Sequence, residues 1–351
     1  MGSGPRVAVI LLDGTDPESI ARHIEAGRMP VLAKAFSQAR KVGLQSLNEL
    51  FPTSLWPCLA SGVAVENHGI HNFRPIRSGT LDVVEPTERQ LPAPFWEIAV
   101  RAGLGATVID APIYGPPPPH ASLDGLRYLE WGAHPAIRPA GSFPPSLISE
   151  IQLRHPAHPF RDDDSSLKSV EELTTAKVRL CEGIRAREAV ILDMLDQCSS
   201  DLLVAGFAEA HIGGHQFVNL TAVNHTHYDP VVAAELGELP LRTVYEALDA
   251  AVGRILGRLP ADATVLVACV GALRVSHGSS SLLDDVLRRV GLSARAPSRL
   301  DALRRMWRRL PVGLRRAGAK QLTGVFSRAK EAAFFAAFDW AATRAFALPW
   351  T

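Results

Sequence analysis

The chain has 351 residues, of which 47% are hydrophobic and 21% are charged, and this composition argues against long disordered or fibrous segments. Its formal net charge of +1 provides no overall field that would attract nucleic acid or an anionic membrane, so either partner would need a local basic patch, and nucleic acid is not expected. The length allows one large α/β domain or two smaller ones.

The first predicted element is a strand at residues 7–12, where a continuous aliphatic run is typical of a strand buried on both faces of a parallel sheet. After Asp13, the pair Asp16 and Pro17 predicts the start of a helix. Further strands are predicted at Ala106–Ile109, Leu202–Phe207 and residues 264–268, and a helix at residues 241–256. This alternation predicts an α/β fold with a central, mostly parallel sheet flanked by helices.

The predicted α/β core covers residues 1–287. It contains a loop-rich insertion around residues 74–160, where prolines and glycines crowd together. Residues 288–351 are predicted to form a basic helical C-terminal segment. A solvated helical face is the simplest interpretation of its arginines, and an anion-binding or membrane-touching surface is the alternative.

Candidate site residues follow the predicted strands, because ligands of open α/β sheets bind at the carboxyl ends of strands. Asp13 is placed either to hold a divalent metal ion or to cap a turn. Thr53 and Ser54 follow Pro52 and precede an apolar stretch. Either hydroxyl is therefore aimed at a helix N-terminus suited to a phosphoryl group, or serves as an ordinary N-cap.

A second candidate group lies after the predicted strand Leu202–Phe207. His211 and His215 are four residues apart, and Glu209 lies beside them. If this segment is helical, both imidazoles face one ion. Two histidines and a nearby carboxylate form half of a zinc or manganese site, and a role without metal is the alternative.

The order of these motifs resembles the alkaline phosphatase superfamily, in its type I phosphodiesterase and nucleotide pyrophosphatase branch. The similarity comprises the strand-ending Asp13, a proline and hydroxyl turn that leads to Ser61-Gly62 and a His-Gly step, and a strand that leads to Gly214-His215. The stretches EWGAH at 130–134, GHQF at 214–217 and SLLDDVLRRVG at 281–291 add to it. The resemblance therefore spans nearly the whole chain.

The resemblance implies an alkaline phosphatase-like fold, in which two divalent metals flank a Ser or Thr nucleophile. Asp13 matches the first-strand metal ligand, and His211 and His215 match an Asp-x-x-x-His ligand pair with His in place of Asp. The nucleophile falls at Thr53, which we prefer, or at Ser54. The implied cofactor is Zn²⁺ or Mn²⁺, as two ions or only one, and the implied partner is a small phosphorylated substrate.

Two features depart from the family pattern. An Asp-His-Gly step is expected after the last strand, but the chain has Cys269, Val270 and Gly271 there. The chain also ends where relatives continue into a segment with another metal-binding His, so the fold is expected to be incomplete at the C-terminus. His277 is a substitute ligand or, more simply, a surface or capping residue.

Two functions follow from these observations. The first is metal-dependent hydrolysis of phosphate mono- or diesters through Thr53 or Ser54. The alternative is a degenerate homologue that binds a phosphorylated ligand or partner without turnover, and a truncated version of a longer enzyme is a third reading. The sequence does not identify the substrate, and it leaves open whether this is a phosphate or a sulfate ester. The oligomeric state also stays open.

The cysteines and the apolar segments indicate the cellular compartment of the protein. Cys58, Cys181, Cys198 and Cys269 lie far apart without a C-x-x-C spacing, which argues against a disulfide framework. The apolar run at residues 7–12 is too short for a secretory signal, and no membrane span is expected. The sequence therefore predicts a cytoplasmic protein.

Overall fold

The computed structural model describes residues 4–43, 52–72, 76–77, 80–84, 91–132, 139–160, 169–197, 199–221, 223, 228–236, 240–271, 273, 280–296 and 333–347. The chain divides into two compact units. The first comprises Met1–Pro75 and Val84–Val275, and the second comprises Ile76–Val83 and Ser276–Thr351. All five predicted site residues belong to the first unit.

The first unit is built on a six-stranded sheet. Its strands are β1 (Val7–Asp13), β2 (Ala106–Ile109), β3 (Leu126–Glu130), β4 (Gly141–Phe143), β5 (Leu202–Phe207) and β6 (Thr264–Val270). They lie in the order β4-β3-β2-β5-β1-β6, and all neighbours are parallel except β3 and β4. The predicted central, mostly parallel sheet is confirmed.

Strand β1 lies between β5 and β6, which explains its unbroken aliphatic sequence. Its register pairs Leu12 with Phe207 of β5, and Asp13 with Val270 of β6. Residues 8–13 are all buried, since both faces of the sheet are covered. The three parallel strands therefore bring residues that are distant in sequence to one carboxyl edge.

Ten α-helices are described in the first unit, and they cover the two faces of its sheet. They are α1 (Pro17–Glu25), α2 (Pro30–Gln38), α3 (Pro52–Ser61), α4 (Val65–His68), α5 (Phe95–Arg101), α6 (Leu147–Arg154), α7 (Val170–Gln197), α8 (Glu209–Phe217), α9 (Pro230–Leu236) and α10 (Pro240–Leu256). The helices α7 and α10 contribute to the larger apolar core on one face, and α3 and α5 to the smaller core on the other.

Helix α10 shows how the apolar spacing places a helix on the sheet. Val244, Leu248 and Val252 are fully or almost fully buried, as their four-residue spacing predicts. Asp249 lies between them and accepts hydrogen bonds from the backbone N–H groups of Val31 and Leu32 at 3.0 and 2.8 Å. These bonds satisfy free N–H groups in the first turn of α2, and so tie α2 to α10.

The second unit contains α11 (Ser280–Arg289) and a bridge between Arg295 and Phe338. The Arg295 guanidinium lies 4.1 Å from the ring centroid of Phe338, which is a cation–π contact. Residues 333–335 are helical and are followed by turns through residue 342. The arginines at 304–316 of the predicted basic segment lie outside the described residues, as does His277.

The stretch predicted to be rich in loops also contains β3 and β4, which the sequence reading did not identify. The short antiparallel strand β4 forms one edge of the sheet. No helix in the described part of the chain combines the length and the hydropathy needed to cross a bilayer.

Candidate functional site

The candidate site lies at the carboxyl end of β1, where Asp13 is 2% exposed. Helix α8 begins at Glu209, two residues after the neighbouring strand β5 ends, and it carries His211 and His215. The Asp13 Oδ2 atom lies 3.3 Å from His211 Nδ1, and His211 Nε2 lies 3.0 Å from His215 Nε2. Three of the five predicted site residues are thus brought together. Their role as metal ligands stays a prediction.

Gly14 explains how α8 approaches the end of β1 so closely. Its φ of 69° lies in the left-handed region, and its N–H donates to the Val270 carbonyl at 2.9 Å. A Cβ atom at this position would lie 2.3 Å from the Cα atom of His211. Only glycine combines this backbone conformation with this contact.

Trp56 was not predicted as a site residue, although it lies close to the candidate hydroxyls in sequence. Its Nε1–H donates to Asp13 Oδ1 at 3.0 Å, and its side chain is buried. Asp13 therefore contacts a nitrogen through each carboxylate oxygen, Trp56 through Oδ1 and His211 through Oδ2. A buried Trp usually places its N–H on such an acceptor, but the sequence does not tell which acceptor it will be.

The histidine pair consists of His211 and His215, and it forms the partly exposed end of this chain of contacts. The Asp13 carboxylate lies 3.3 Å from His211 Nδ1 as an ion-pair contact rather than an aligned hydrogen bond. Its negative charge favours a hydrogen on Nδ1, and His211 Nε2 then accepts from His215 Nε2. Among the described residues, no group of three or more His, Cys, Asp or Glu side chains has the geometry of a metal site. The donor set is therefore two imidazoles, with a carboxylate behind one of them.

Helix α3 begins at Pro52 and places Thr53 and Ser54 in its first turn. The Ser54 side chain is fully buried, and its Oγ has no hydrogen-bond partner among the described residues. The structure includes the backbone of Thr53, while its side chain lies outside the described part. Because Trp56 follows one turn later, its bond to Asp13 ties the N-terminal part of α3 to the end of β1.

Cys58 and His68 form a second contact beside α3. The Nδ1 atom of His68 accepts a hydrogen bond from the Ile70 N–H at 3.0 Å, so Nε2 carries the hydrogen and donates it to Cys58 Sγ at 3.3 Å. Burial lowers the pKa of His68, and burial together with Glu66 raises the pKa of the Cys58 thiol. The pair therefore joins α3 to α4 as neutral groups and does not supply an activated thiolate.

The end of β6 lacks the carboxylate and the imidazole that the family pattern places there. Val270 pairs with Asp13 but packs in the same apolar core as Trp56. Cys269 packs against the core on the other face of the sheet, and burial raises the pKa of its thiol. In residues 264–271, no side chain is therefore placed to complete a metal site with Asp13.

A buried ionic cluster lies at the same edge of the sheet, beyond β5. It consists of four side chains: Asp110 directly after β2, His158, Arg187 of α7, and Glu209 of α8. Arg187 Nη1 pairs with Asp110 Oδ2, and Arg187 Nε donates to Glu209 Oε1 at 2.8 Å. His158 Nε2 lies 3.0 Å from the same Glu209 oxygen. The partners are up to 77 residues apart in sequence, so no local pattern reveals the cluster.

Arg187 and His158 both contact the buried carboxylate of Glu209. Burial alone would raise the pKa of Glu209, but the charges and hydrogen bonds of Arg187 and His158 outweigh it and hold this pKa at about 2. Asp110 adopts a φ of 50°, and its Oδ1 accepts from the N–H groups of Trp131 at 2.6 Å and Gly132 at 3.1 Å. The cluster therefore connects the ends of β2, β3 and β5 to α7.

A family model described as type I phosphodiesterase / nucleotide pyrophosphatase matches residues 7–330. A search of curated proteins found no match. Among solved structures, the chain is similar to phosphonoacetate hydrolase from Sinorhizobium meliloti 1021 in complex with phosphonoformate, with 18% identity and a TM-score of 0.42, over 73% of this chain and 55% of that one.

The chain is also similar to murine ectonucleotide pyrophosphatase / phosphodiesterase 5, with 16% identity and a TM-score of 0.36. This match covers 72% of the present chain and 52% of the murine one. The chain thus spans about half the length of the solved structures that it matches.

Proposed function

Because the chain belongs to the type I phosphodiesterase / nucleotide pyrophosphatase family, we propose that it hydrolyses phosphate mono- or diesters of small molecules at the edge of the sheet where Asp13 meets α8. The observation that carries this proposal is the continuous contact from Asp13 through His211 to His215. It places a carboxylate and two imidazoles at the strand ends, where open α/β sheets bind their ligands.

Asp13 has a positioning role in this proposal. One of its oxygens is held by Trp56, and the other lies against His211 Nδ1, which fixes the orientation of the imidazole. Carboxylates that contact the distal nitrogen of a ligating histidine orient the ring and raise its basicity. The Nε2 atom of His211, which contacts His215 Nε2, then lies at the partly exposed side of the site.

His211 and His215 fit a Zn²⁺ or Mn²⁺ ion through their Nε2 atoms. Two nitrogens at about 2.0–2.1 Å from one tetrahedral zinc ion lie about 3.3 Å apart, and the observed separation is 3.0 Å. When bound, such an ion stabilises the charge that develops on the phosphoryl oxygens and lowers the pKa of a bound hydroxyl group or water. The two imidazoles would hold one ion.

The hydroxyl that attacks phosphorus comes from the first turn of α3. The full burial of Ser54 favours Thr53 as the nucleophile. In the proposed step the Thr53 hydroxyl gives up its proton to solvent and its oxygen forms a bond to phosphorus, while the ester oxygen leaves with the bonding electrons and takes up a proton from solvent. Water then cleaves the phosphothreonine to release phosphate or a phosphomonoester.

Hydrolysis of 4-nitrophenyl phosphate and bis-(4-nitrophenyl) phosphate tests the proposal, with Zn²⁺ or Mn²⁺ added to the purified protein. We expect turnover of at least one ester and its loss in Thr53→Ala. Ser37→Ala, at the exposed end of α2, is the matched control for Ser54→Ala. Full activity in both Thr53→Ala and Ser54→Ala would refute a hydroxyl nucleophile in this turn.

A homologue that binds a phosphorylated ligand or partner without turnover is the second candidate function. The observation in its favour is Val270, which packs in the apolar core at the position expected to supply a metal ligand. Under this alternative, the protein binds the nitrophenyl esters or inorganic phosphate but releases no nitrophenol with either metal. A cytoplasmic location is part of both proposals.

A further inference from the structure

Helix α8 has two chemically different sides within its first turn. The Glu209 side chain is fully buried in the ionic cluster, whereas the His211 side chain is 20% exposed and lies against Asp13. Residues two apart on an α-helix point about 200° away from each other. Glu209 therefore anchors the side of the helix that lies opposite the candidate site.

The anchor of Glu209 is the guanidinium of Arg187, which is itself fully buried. Arg187 contacts Glu209 through Nε and Asp110 through Nη1, and its Nη2 donates to the Gly132 carbonyl at 3.4 Å. One rigid planar group thus connects the first residue of α8 to the ends of β2 and β3. A lysine ammonium is a single point charge and does not span the same three acceptors.

The packing of α7 leaves room for this anchor. His158, which shares the Glu209 oxygen with Arg187, lies against Gly183, one helical turn before Arg187 on α7. A Cβ atom on Gly183 would lie 2.2 Å from His158 Nε2. The sequence of α7 therefore provides both the cation and the space for the second partner of Glu209.

The rotation of α8 about its axis decides whether His211 reaches Asp13, because the backbone of His211 is closely packed. Its backbone packs against Gly14, and each residue of a helix corresponds to about 100° of rotation. A rotation by a fraction of this angle would move His211 Nδ1 away from Asp13. The contact of 3.3 Å therefore depends on what holds the buried side of the helix.

We propose that Arg187 is a positioning residue for the histidine pair. By bridging the carboxylates of Glu209 and Asp110, it sets the rotation of α8 and so places His211 Nδ1 beside Asp13 and His211 Nε2 beside His215. Its effect on metal affinity rests on the proposed function, whereas its effect on the orientation of His211 does not.

The orientation of His211 is measured by long-range ¹H–¹⁵N NMR correlation on protein labelled with ¹⁵N-histidine and free of metal, assigned by loss of the signal in His211→Gln. In the wild type we expect the tautomer with hydrogen on Nδ1. Arg187→Met and Glu209→Gln should convert this signal to a mixture of tautomers. Arg187→Lys keeps the buried charge and should give an intermediate result, which covers the case in which Arg187→Met does not fold.

Glu188→Gln is the matched control. Glu188 is the next residue of α7 and is also buried in an ion pair, but its partner is Arg254 of α10. This variant should lower the melting temperature, as the other variants do, but leave the His211 tautomer unchanged. It separates a general loss of stability from a change in the position of α8.

Calorimetric titration with Zn²⁺ gives the second readout. Second-sphere changes typically weaken metal binding by about 10–100-fold, and we expect this range for Arg187→Met, a smaller loss for Arg187→Lys and none for Glu188→Gln. A wild-type His211 signal and wild-type affinity in folded Arg187→Lys and Glu209→Gln would overturn the inference. If the wild type binds no metal but the tautomer changes as expected, the positioning role holds and the proposed metal site fails.

Discussion

Two groups of charged and titratable side chains lie at the same edge of one sheet, yet they differ in their surroundings. The ionic cluster around Arg187 is fully enclosed, and its cation contacts two carboxylates. The histidine pair starts from a buried carboxylate, Asp13, but extends to imidazoles that are partly exposed. The ionic cluster is therefore shielded from solvent, whereas the histidine pair can be reached by a ligand.

This difference teaches that charge at a strand end does not by itself mark a site of chemistry. Buried charges require partners, and in the ionic cluster the chain supplies them. At the histidine pair, the two imidazoles contact each other at the partly exposed end, and an ion or a proton can replace this contact. We therefore assign structural support to the cluster and chemistry to the pair.

Removal of an imidazole should have the largest effect. We expect His211→Ala and His215→Ala each to reduce hydrolysis of bis-(4-nitrophenyl) phosphate by about 10²–10³-fold, since metal binding and charge stabilisation are lost together. His120→Ala removes an exposed histidine and is the control. Comparable activity in all three variants would remove the histidine pair from the mechanism.

A methyl group at Gly14 should push α8 away from the end of β1. In Gly14→Ala the new Cβ collides with His211, so α8 must move away from Asp13, and we expect activity to fall by about 100-fold. Gly27→Ala is the matched control, because Gly27 has nearly the same φ of 71° but open space around its Cα. Equal losses in both variants would indicate backbone strain alone.

Low pH should reduce the contribution of the ionic cluster to the stability of the fold. Because the folded-state pKa of Glu209 is held at about 2, below its ordinary value of 4.5, its charge contributes stability above about pH 4.5 that is lost as the pH falls towards 2. The melting temperature of Glu209→Gln should therefore lie below that of the wild type at pH 7. The two curves should converge between pH 4.5 and 2, and a constant difference would contradict the ionic role of Glu209.

The smallest expected effect concerns the link between α3 and Asp13. Trp56→Phe removes one hydrogen bond to a carboxylate, with a net cost to stability of about 1–3 kcal/mol. Activity should fall by less than about tenfold, because His211 still contacts Asp13. Trp96→Phe, in the same apolar core, is the control. Thermal melts and initial rates decide whether Trp56 matters beyond packing.

Much of the sheet could be predicted from the sequence. The bounds of β2 and β5 agree with the prediction, and β1 and β6 continue only one and two residues further, because buried parallel strands are continuous aliphatic runs. Strands β3 and β4 lie among prolines and glycines, and one of them is a three-residue edge strand. Local sequence carries little information about such short pairings.

The candidate site was predictable in part. Asp13, His211 and His215 end or follow buried strands, and the structure brings them into contact. Trp56 and Arg187 were missed, because a tryptophan in an apolar helix and an arginine in a polar helix have many ordinary roles. Their function depends on partners 43 and 77 residues away, which only the fold brings close.

The central claim is that the histidine pair, supported by Asp13, binds a divalent metal. The most direct measurement is calorimetric titration of Zn²⁺ and Mn²⁺ into chelator-treated wild type, His211→Ala and His120→Ala. We predict saturable binding of one ion per chain in the wild type and in His120→Ala, and its loss in His211→Ala. Equal binding by His211→Ala, or no binding by the wild type, would contradict the account.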